Sequence, residues 1–198
     1  MTTIAVVSAG LSERSSTRLL AGKLASAVQD SLPHKASVEM VDLREHAHDV
    51  INALLTGVPT GALGGLVRTV ADADALIAVT PVFNASYSGL FKSFFDILET
   101  DSLAGKHVLM GATGGTERHS LVLEHALRPM FAYLRAVVVP TAVYAATSDW
   151  GGASGLEKRI ALAGKELADL LAHRAPSAKP DRYANVTPFA ELLGGLRK

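Results

Sequence analysis

Three short stretches of this sequence hold the groups best suited to chemistry, and all three suit binding rather than nucleophilic attack. The first, residues 8–18, is crowded with the hydroxyls of Ser8, Ser12, Ser15, Ser16 and Thr17, with Arg14 and Arg18 among them. Hydroxyls, an arginine and the free N–H groups of a helix start make a cradle for a phosphate. Ser15 or Ser16 also serves as a plain helix N-cap, so two readings stand. The second stretch sets Pro81, Val82, Phe83, Asn84, Ser86 and Tyr87 together. Apolar faces with amide and hydroxyl edges suit a flat heteroaromatic ring. A turn built on Asn84, with Phe83 and Tyr87 in the core, accounts for the same residues. The third, Thr113-Gly114-Gly115-Thr116, lets backbone approach a ligand closely, although Gly-Gly is also an ordinary turn. Glu117, Arg118 and His119 follow as lesser candidates for the same crevice.

The elements around these stretches alternate. Residues 3–8 are apolar enough for a strand buried on both faces. Leu20, Leu24, Ala27 and Val28 then recur at helical spacing. Residues 37–42 read as a second strand, 45–55 and 63–71 as helices around a Gly-Pro loop, and 75–79 as a third strand. Pro81 is expected to take the chain out of the sheet into a loop, with a helix from residue 88. Phe91, Phe94 and Phe95 on that helix read as core. A fourth strand, 107–112, is expected to break at Thr113-Gly114-Gly115. Leu123, Leu127, Met130, Phe131 and Leu134 give a strong helical stripe. Residues 137–145 offer a fifth strand, interrupted or ended by Pro140, and Leu156, Ile160, Ala163 and Leu167 mark the last helix.

This order predicts an α/β three-layer sandwich: a five-stranded parallel sheet, in the flavodoxin-like order 2-1-3-4-5, with helices on both faces. Residues 1–175 form the domain, and 176–198, with Pro176, Pro180 and Pro188, a C-terminal tail. The loops after the first, third and fourth strands then converge on one crevice at the carboxyl edge. No G-x-G-x-x-G or G-x-x-x-x-G-K-[ST] pattern follows the first strand, which argues against a dinucleotide Rossmann site and a P-loop. A hydroxyl-rich loop there suits a mononucleotide phosphate such as that of FMN.

Composition narrows the classes. The 198 residues are 48% hydrophobic and 19% charged, as for a folded globular chain. Lys plus Arg equals Asp plus Glu at 19 each, so there is no basic field for nucleic acid and no acidity of a small redox carrier. The absence of Cys excludes disulfides, thiolate nucleophiles and thiolate-bound metals. The N-terminus reads directly into a strand and no apolar run reaches membrane-spanning length, so a cytoplasmic location is expected and no membrane.

At Val6 to Leu20 (VVSAGLSERSSTRLL), Ala73 to Leu98 (ADALIAVTPVFNASYSGLFKSFFDIL) and Gly111 to Ala136 (GATGGTERHSLVLEHALRPMFAYLRA) the sequence resembles the NADPH-dependent FMN reductase family. The likeness is to reductase components of two-component monooxygenase systems, the sulfonate-utilisation type and its actinobacterial relatives. It implies FMN as the cofactor, reduced by NADPH or NADH, with a flavin-dependent monooxygenase as the implied partner and a homodimer or homotetramer as the assembly. It puts the phosphate on Ser8, Arg14, Ser15, Ser16 and Thr17. It puts the flavin ring against Pro81, Val82, Phe83, Asn84 and Ser86, and against Thr113, Gly114 and Gly115. Hydride transfer between nicotinamide and flavin needs no catalytic side chain, because the flavin carries the chemistry. The alternatives are a reductase that retains FMN and reduces quinones or azo dyes, and a non-catalytic flavin carrier.

One departure stands out. Sulfonate-type relatives often carry an aromatic residue where this chain has His125. Pro129 has no N–H for the carbonyl of residue 125, so the helix is expected to kink or bulge there and to expose His125. His46 and His48 near Asp42 and Asp49 are two apart on a helix and do not face one another, so no metal site is expected.

Overall fold

The structure, a computed structural model, describes residues 1–151 and 155–173, and the tail expected from residue 176 lies outside them. Strand β1, Thr2–Ser8, is buried from Ile4 onward and is an inner strand of the sheet. It pairs in parallel with β2, Ala36–Asp42, on one side and β3, Ala75–Phe83, on the other. Beyond β3 lies β5, His107–Gly114, also parallel. The short β4, Ser86–Tyr87, folds back antiparallel on β3. Two further strands pair with β5, β6 at Val137–Val138 and β7 at Val143–Ala146.

Among the described residues the sheet therefore has seven strands, not the five expected: five along the path β2-β1-β3-β5-β6, with β4 on β3 and β7 on β5 off it. The flavodoxin-like parallel order survives, with two changes. One is the β4 hairpin. The other is that the expected fifth strand is two pieces, and Pro140 divides them. The Val139 N–H still reaches the Val108 carbonyl, but Pro140 has no N–H to continue the ladder. Pairing resumes only at Gly111 with Val143.

Among the described residues six α-helices cover the two faces. Helices α1, Ser16–Ser31, and α6, Leu156–Ala172, close one face over Ile4, Val6, Ile77, Val79 and Leu109. Helices α2, Ala47–Thr56, α3, Gly61–Asp72, α4, Gly89–Asp96, and α5, Arg128–Tyr133, close the other. There Phe91, Phe94, Phe95 and Phe131 interlock, with the Phe91 and Phe95 rings 4.8 Å apart and Phe95 edge-on to Phe131 at 5.2 Å. The core reading of these phenylalanines holds. No single helix among the described residues is long and apolar enough to cross a membrane.

The helix before α5 does bulge at the expected place: Leu123–Leu127 is a π-helical turn, and the Arg128 N–H reaches back to the Leu123 carbonyl. Pro129 leaves the carbonyl of residue 125 without its α-helical donor, and the wider turn accommodates the mismatch. His125 is exposed.

Helices α1 and α6 touch through Gly164, where an added Cβ would lie 2.6 Å from the Ala27 Cβ and 2.8 Å from its carbonyl carbon. Gly164→Ala is expected to destabilise by about 1–3 kcal/mol, because overpacking outweighs the roughly 1 kcal/mol that alanine gains in a helix interior. Chemical denaturation checks this, and a variant as stable as the parent protein would refute the close approach.

Candidate functional site

The carboxyl edge of the sheet is uneven. β1 ends at Ser8 opposite Val79, and its last contact is the Ala9 N–H with the Val79 carbonyl. β3 runs on to Phe83 and β5 to Gly114, still paired at Pro81 with Thr113. The step so formed lies in front of the first turn of α1.

Ser8 shares its strand face with Ile4 and Val6, so its side chain lies on the α1 side of the sheet. It is 0% exposed, and its Oγ has no hydrogen-bond partner among the described residues. The loop that follows closes tightly, since a Cβ on Gly10 would fall 1.8 Å from the Ser15 Oγ. Ser15 is the N-cap of α1 and accepts from the Arg18 N–H at 3.2 Å. That cap leaves the N–H groups of Ser16 and Thr17 without a partner among the described residues. No acidic residue occupies the first turn, so the positive end of the helix is not offset there. Ser16 is exposed, whereas Thr17 is buried with its Oγ1 2.8 Å from the Thr113 Oγ1.

The nearby arginines differ. Arg18 pairs with Asp42 at 3.2 Å and Arg44 with Glu13 at 3.7 Å. Arg14 is exposed and pairs with no carboxylate among the described residues. A wide groove of about 1590 Å³ opens along α1 beside Arg14, Ser15 and Ser16. It takes in no residue of β3 or β5, so it meets the step only at this end.

Residues 80–87 are not the open loop expected. β3 continues through Pro81 and Val82 to Phe83 and turns back at Asn84 and Ala85. With φ of 48° and 65° these two form a type I′ hairpin turn. Pro81 fits because Val79 directs its carbonyl at β1, so the missing N–H two residues on faces the side that β1 has vacated. Val82 pairs with Tyr87 and Phe83 with Ser86. Val82, Ser86 and Tyr87 are half-buried, whereas Phe83 is 47% exposed and Asn84 exposed. Phe83 is therefore not core.

Two residues that the sequence reading left out hold this hairpin. Thr80 is buried, accepts from the Ser88 N–H at 3.0 Å and donates to the Pro81 carbonyl at 2.9 Å. Ser88 caps α4 by accepting from the Phe91 N–H at 3.2 Å. A serine just before an apolar helical stripe was a visible signal for Ser88. Nothing local marked Thr80.

The third stretch also differs from expectation. Thr113 and Gly114 belong to β5, because β7 supplies partners at Ala145 and Ala146. A Cβ on Gly114 would lie 2.1 Å from the Tyr144 hydroxyl, which donates to the Thr116 carbonyl at 2.7 Å. The glycine thus makes room for Tyr144. Gly115 faces open space. Burial, with the carboxylates of Glu117 and Asp149, pushes the Tyr144 phenol up, so it stays a donor at neutral pH. Glu117 accepts from the Ser148 hydroxyl, which with its own N–H holds its carboxyl below the usual range. Asp149 takes the Ala146 N–H at 2.8 Å and Arg159 at 2.9 Å, and Arg159 reaches the Tyr144 carbonyl at 3.0 Å. Glu117, Arg118 and His119 form an exposed 3-10 turn beside this cluster.

The comparisons with known proteins agree with one another. The family model for NADPH-dependent FMN reductase matches residues 2–151. An FMN reductase (NADPH) of Pseudomonas aeruginosa is 34% identical over 180 residues, 89% of this chain and 96% of that protein. The NADH-dependent FMN reductase SfnE of Pseudomonas putida is 34% identical over 177 residues, 87% of this chain and 94% of that protein. A solved oxidoreductase from Corynebacterium diphtheriae shares 48% identity at a TM-score of 0.85, covering 88% of this chain and 99% of that one. The apo form of an NADH:FMN oxidoreductase (EMOB) superposes at 0.73 with 29% identity, over 91% of this chain and 92% of that one. An archaeal flavodoxin, 14% identical at 0.57, covering 87% of this chain and 100% of that one, shares the fold alone.

Gly114→Ala is expected to cost about 1–3 kcal/mol through collision with the Tyr144 hydroxyl. Adding Tyr144→Phe should recover most of that loss, although Tyr144→Phe alone costs about 1 kcal/mol of hydrogen bond. Denaturant midpoints of the four proteins test the pair, and strictly additive losses would contradict it.

Proposed function

The chain belongs to the NADPH-dependent FMN reductase family, and from that premise we propose that it uses NADPH or NADH to reduce FMN held at the step in the sheet. We further propose that it passes the reduced flavin to a separate flavin-dependent monooxygenase. A cytoplasmic location, assembly as a homodimer or homotetramer, and an FMN-binding unit of residues 1–175 complete the proposal.

The observation that carries it is the Ser8 hydroxyl, buried without a partner under a helix start that has no acid in its first turn. Buried polar groups are almost always satisfied, so a ligand with an acceptor belongs there. The phosphate of FMN supplies acceptors and negative charge together, and the residues fit it. Ser8, Ser16 and Thr17 would donate to that phosphate, with Arg14 adding charge from the rim. The hairpin residues Pro81, Val82, Phe83, Asn84 and Ser86 would form one wall for the ring, and the backbone from Thr113 through Gly114 and Gly115 the other. FMN, when bound, supplies the hydride-accepting chemistry. The protein's part is orientation, which for a transfer at about 3–3.5 Å is worth several kcal/mol. Thr80 and Tyr144 serve it by fixing the two walls. No side chain is assigned as acid, base or nucleophile.

Steady-state oxidation of NADPH and of NADH, with FMN, FAD and a quinone compared side by side, tests the function. Rapid oxidation with FMN is expected, and none with any acceptor would overturn the enzymatic reading. A protein that stays yellow through gel filtration would favour a reductase that retains its flavin over one that releases it. Ser8→Ala should raise the stability of the flavin-free protein by about 1 kcal/mol, by removing an unsatisfied buried hydroxyl, and weaken FMN binding. Calorimetry with and without FMN separates these opposite effects, and equal shifts in both states would argue against Ser8 as a ligand.

A further inference from the structure

We propose that the buried hydroxyl pair of Thr17 and Thr113 makes this site selective for a phosphorylated flavin over riboflavin, with Thr113 acting at the phosphate end through Thr17. This rests on the flavin site proposed above and reassigns Thr113, which the family resemblance puts against the ring.

Alternation along β5 sets Leu109, Gly111 and Thr113 on one face. Leu109 packs in the core under α1, and a Cβ on Gly111 would lie 3.2 Å from the Leu24 Cδ1 of that helix. The Thr113 side chain therefore points to the α1 side, where its Oγ1 meets the Thr17 Oγ1 at 2.8 Å. Both residues are nearly sealed, at 2% and 3% exposure. A hydroxyl pair makes one bond with two protons. Whichever oxygen donates, the other keeps a proton with no acceptor among the described residues. The Ser8 hydroxyl, on the same side of the sheet, has none either.

Two buried donor protons thus remain beside the first turn of α1, whose own N–H groups at Ser16 and Thr17 are open. A phosphate dianion offers enough acceptors for all of them and the charge that a helix start favours. The terminal hydroxyl of riboflavin offers one neutral acceptor. The pair also ties the helix start to β5, which fixes the spacing between the phosphate end and residues 113–116. Without it, Thr17 would be free to turn away from the phosphate, whereas the ring walls, held by Thr80 and Tyr144, would be unaffected.

The test is flavin affinity, measured by fluorescence quenching at fixed ionic strength with FMN and with riboflavin. Thr113→Val keeps the shape and removes the pair. It is expected to raise the Kd for FMN about tenfold, as for loss of one hydrogen bond to a charged group, and to change that for riboflavin by less than about twofold. Thr113→Ser should restore most of the FMN preference. Thr17→Val combined with Thr113→Val should be little worse than either alone, as for two members of one unit. An unchanged ratio of the two affinities in Thr113→Val, an equal loss of both flavins, or additive losses in the double variant would each overturn the pair as a selectivity device. Parent protein that binds neither flavin would overturn the flavin site itself and the pair with it. Circular dichroism of each variant separates an affinity change from misfolding.

Discussion

β1 stops opposite Val79 while its neighbours continue, and most of the site follows from that mismatch. Beyond Ser8 one edge of β3 has no strand to bond, so Pro81 can sit in β3 without leaving an orphaned partner. The freed edge lets β3 double back as a hairpin. The vacated position lies before the start of α1, where N–H groups collect. A ligand that lies across the ends of parallel strands therefore meets a positive helix end on one side and two walls on the other. β5 reaches as far as Gly114 only because β7 supports it from beyond, and Tyr144 of β7 then settles the path of residues 114–116.

Several local costs collect at this edge. Asn84 and Ala85 both hold positive φ, and for Ala85 that costs about 1 kcal/mol or more. Ser8 is buried without a partner, at a cost of roughly 1–3 kcal/mol. The bonds of Thr80 and Tyr144 offset part of this, since both brace backbone on either side of the crevice. Backbone strain alone does not mark this edge, because Asp101 and Arg135 hold φ of 69° and 57° in the loops before β5 and β6 at the opposite one.

The prolines show how far sequence reasoning reaches. Pro129 was read as a defect in a helix, and the π-helical turn at Leu123–Leu127 is that defect. The missing donor concerns a carbonyl four residues away on the same helix, so the argument was local. Pro140 was read as ending or interrupting a strand, and it divides β6 from β7. Arg128 donates to the Pro140 carbonyl at 3.1 Å and so ties the break to the helix that follows the π turn. Pro81 was misread. Whether a proline ends a strand depends on which neighbour its missing N–H would have faced, and that neighbour lies some seventy residues earlier in the chain.

The sequence by itself determined the alternation of strands and helices, the parallel order around β1, the phenylalanine core and the three stretches that meet at one edge. These follow from periodicity, apolar runs and breakers, which act within a few residues. The likeness of residues 6–20, 73–98 and 111–136 to FMN reductases was also legible there, and the family match over residues 2–151 agrees with it. Only the tertiary structure decided what each residue of those stretches does. It turned residues 80–87 into a hairpin, carried β5 on to Gly114, gave Gly114 to Tyr144, and set Thr113 against Thr17. Each of these depends on a partner about thirty to a hundred residues away or on a strand ending elsewhere. Such contacts leave no periodic trace in the chain, because the side chain that needs a partner and the one that supplies it are chosen by packing in three dimensions.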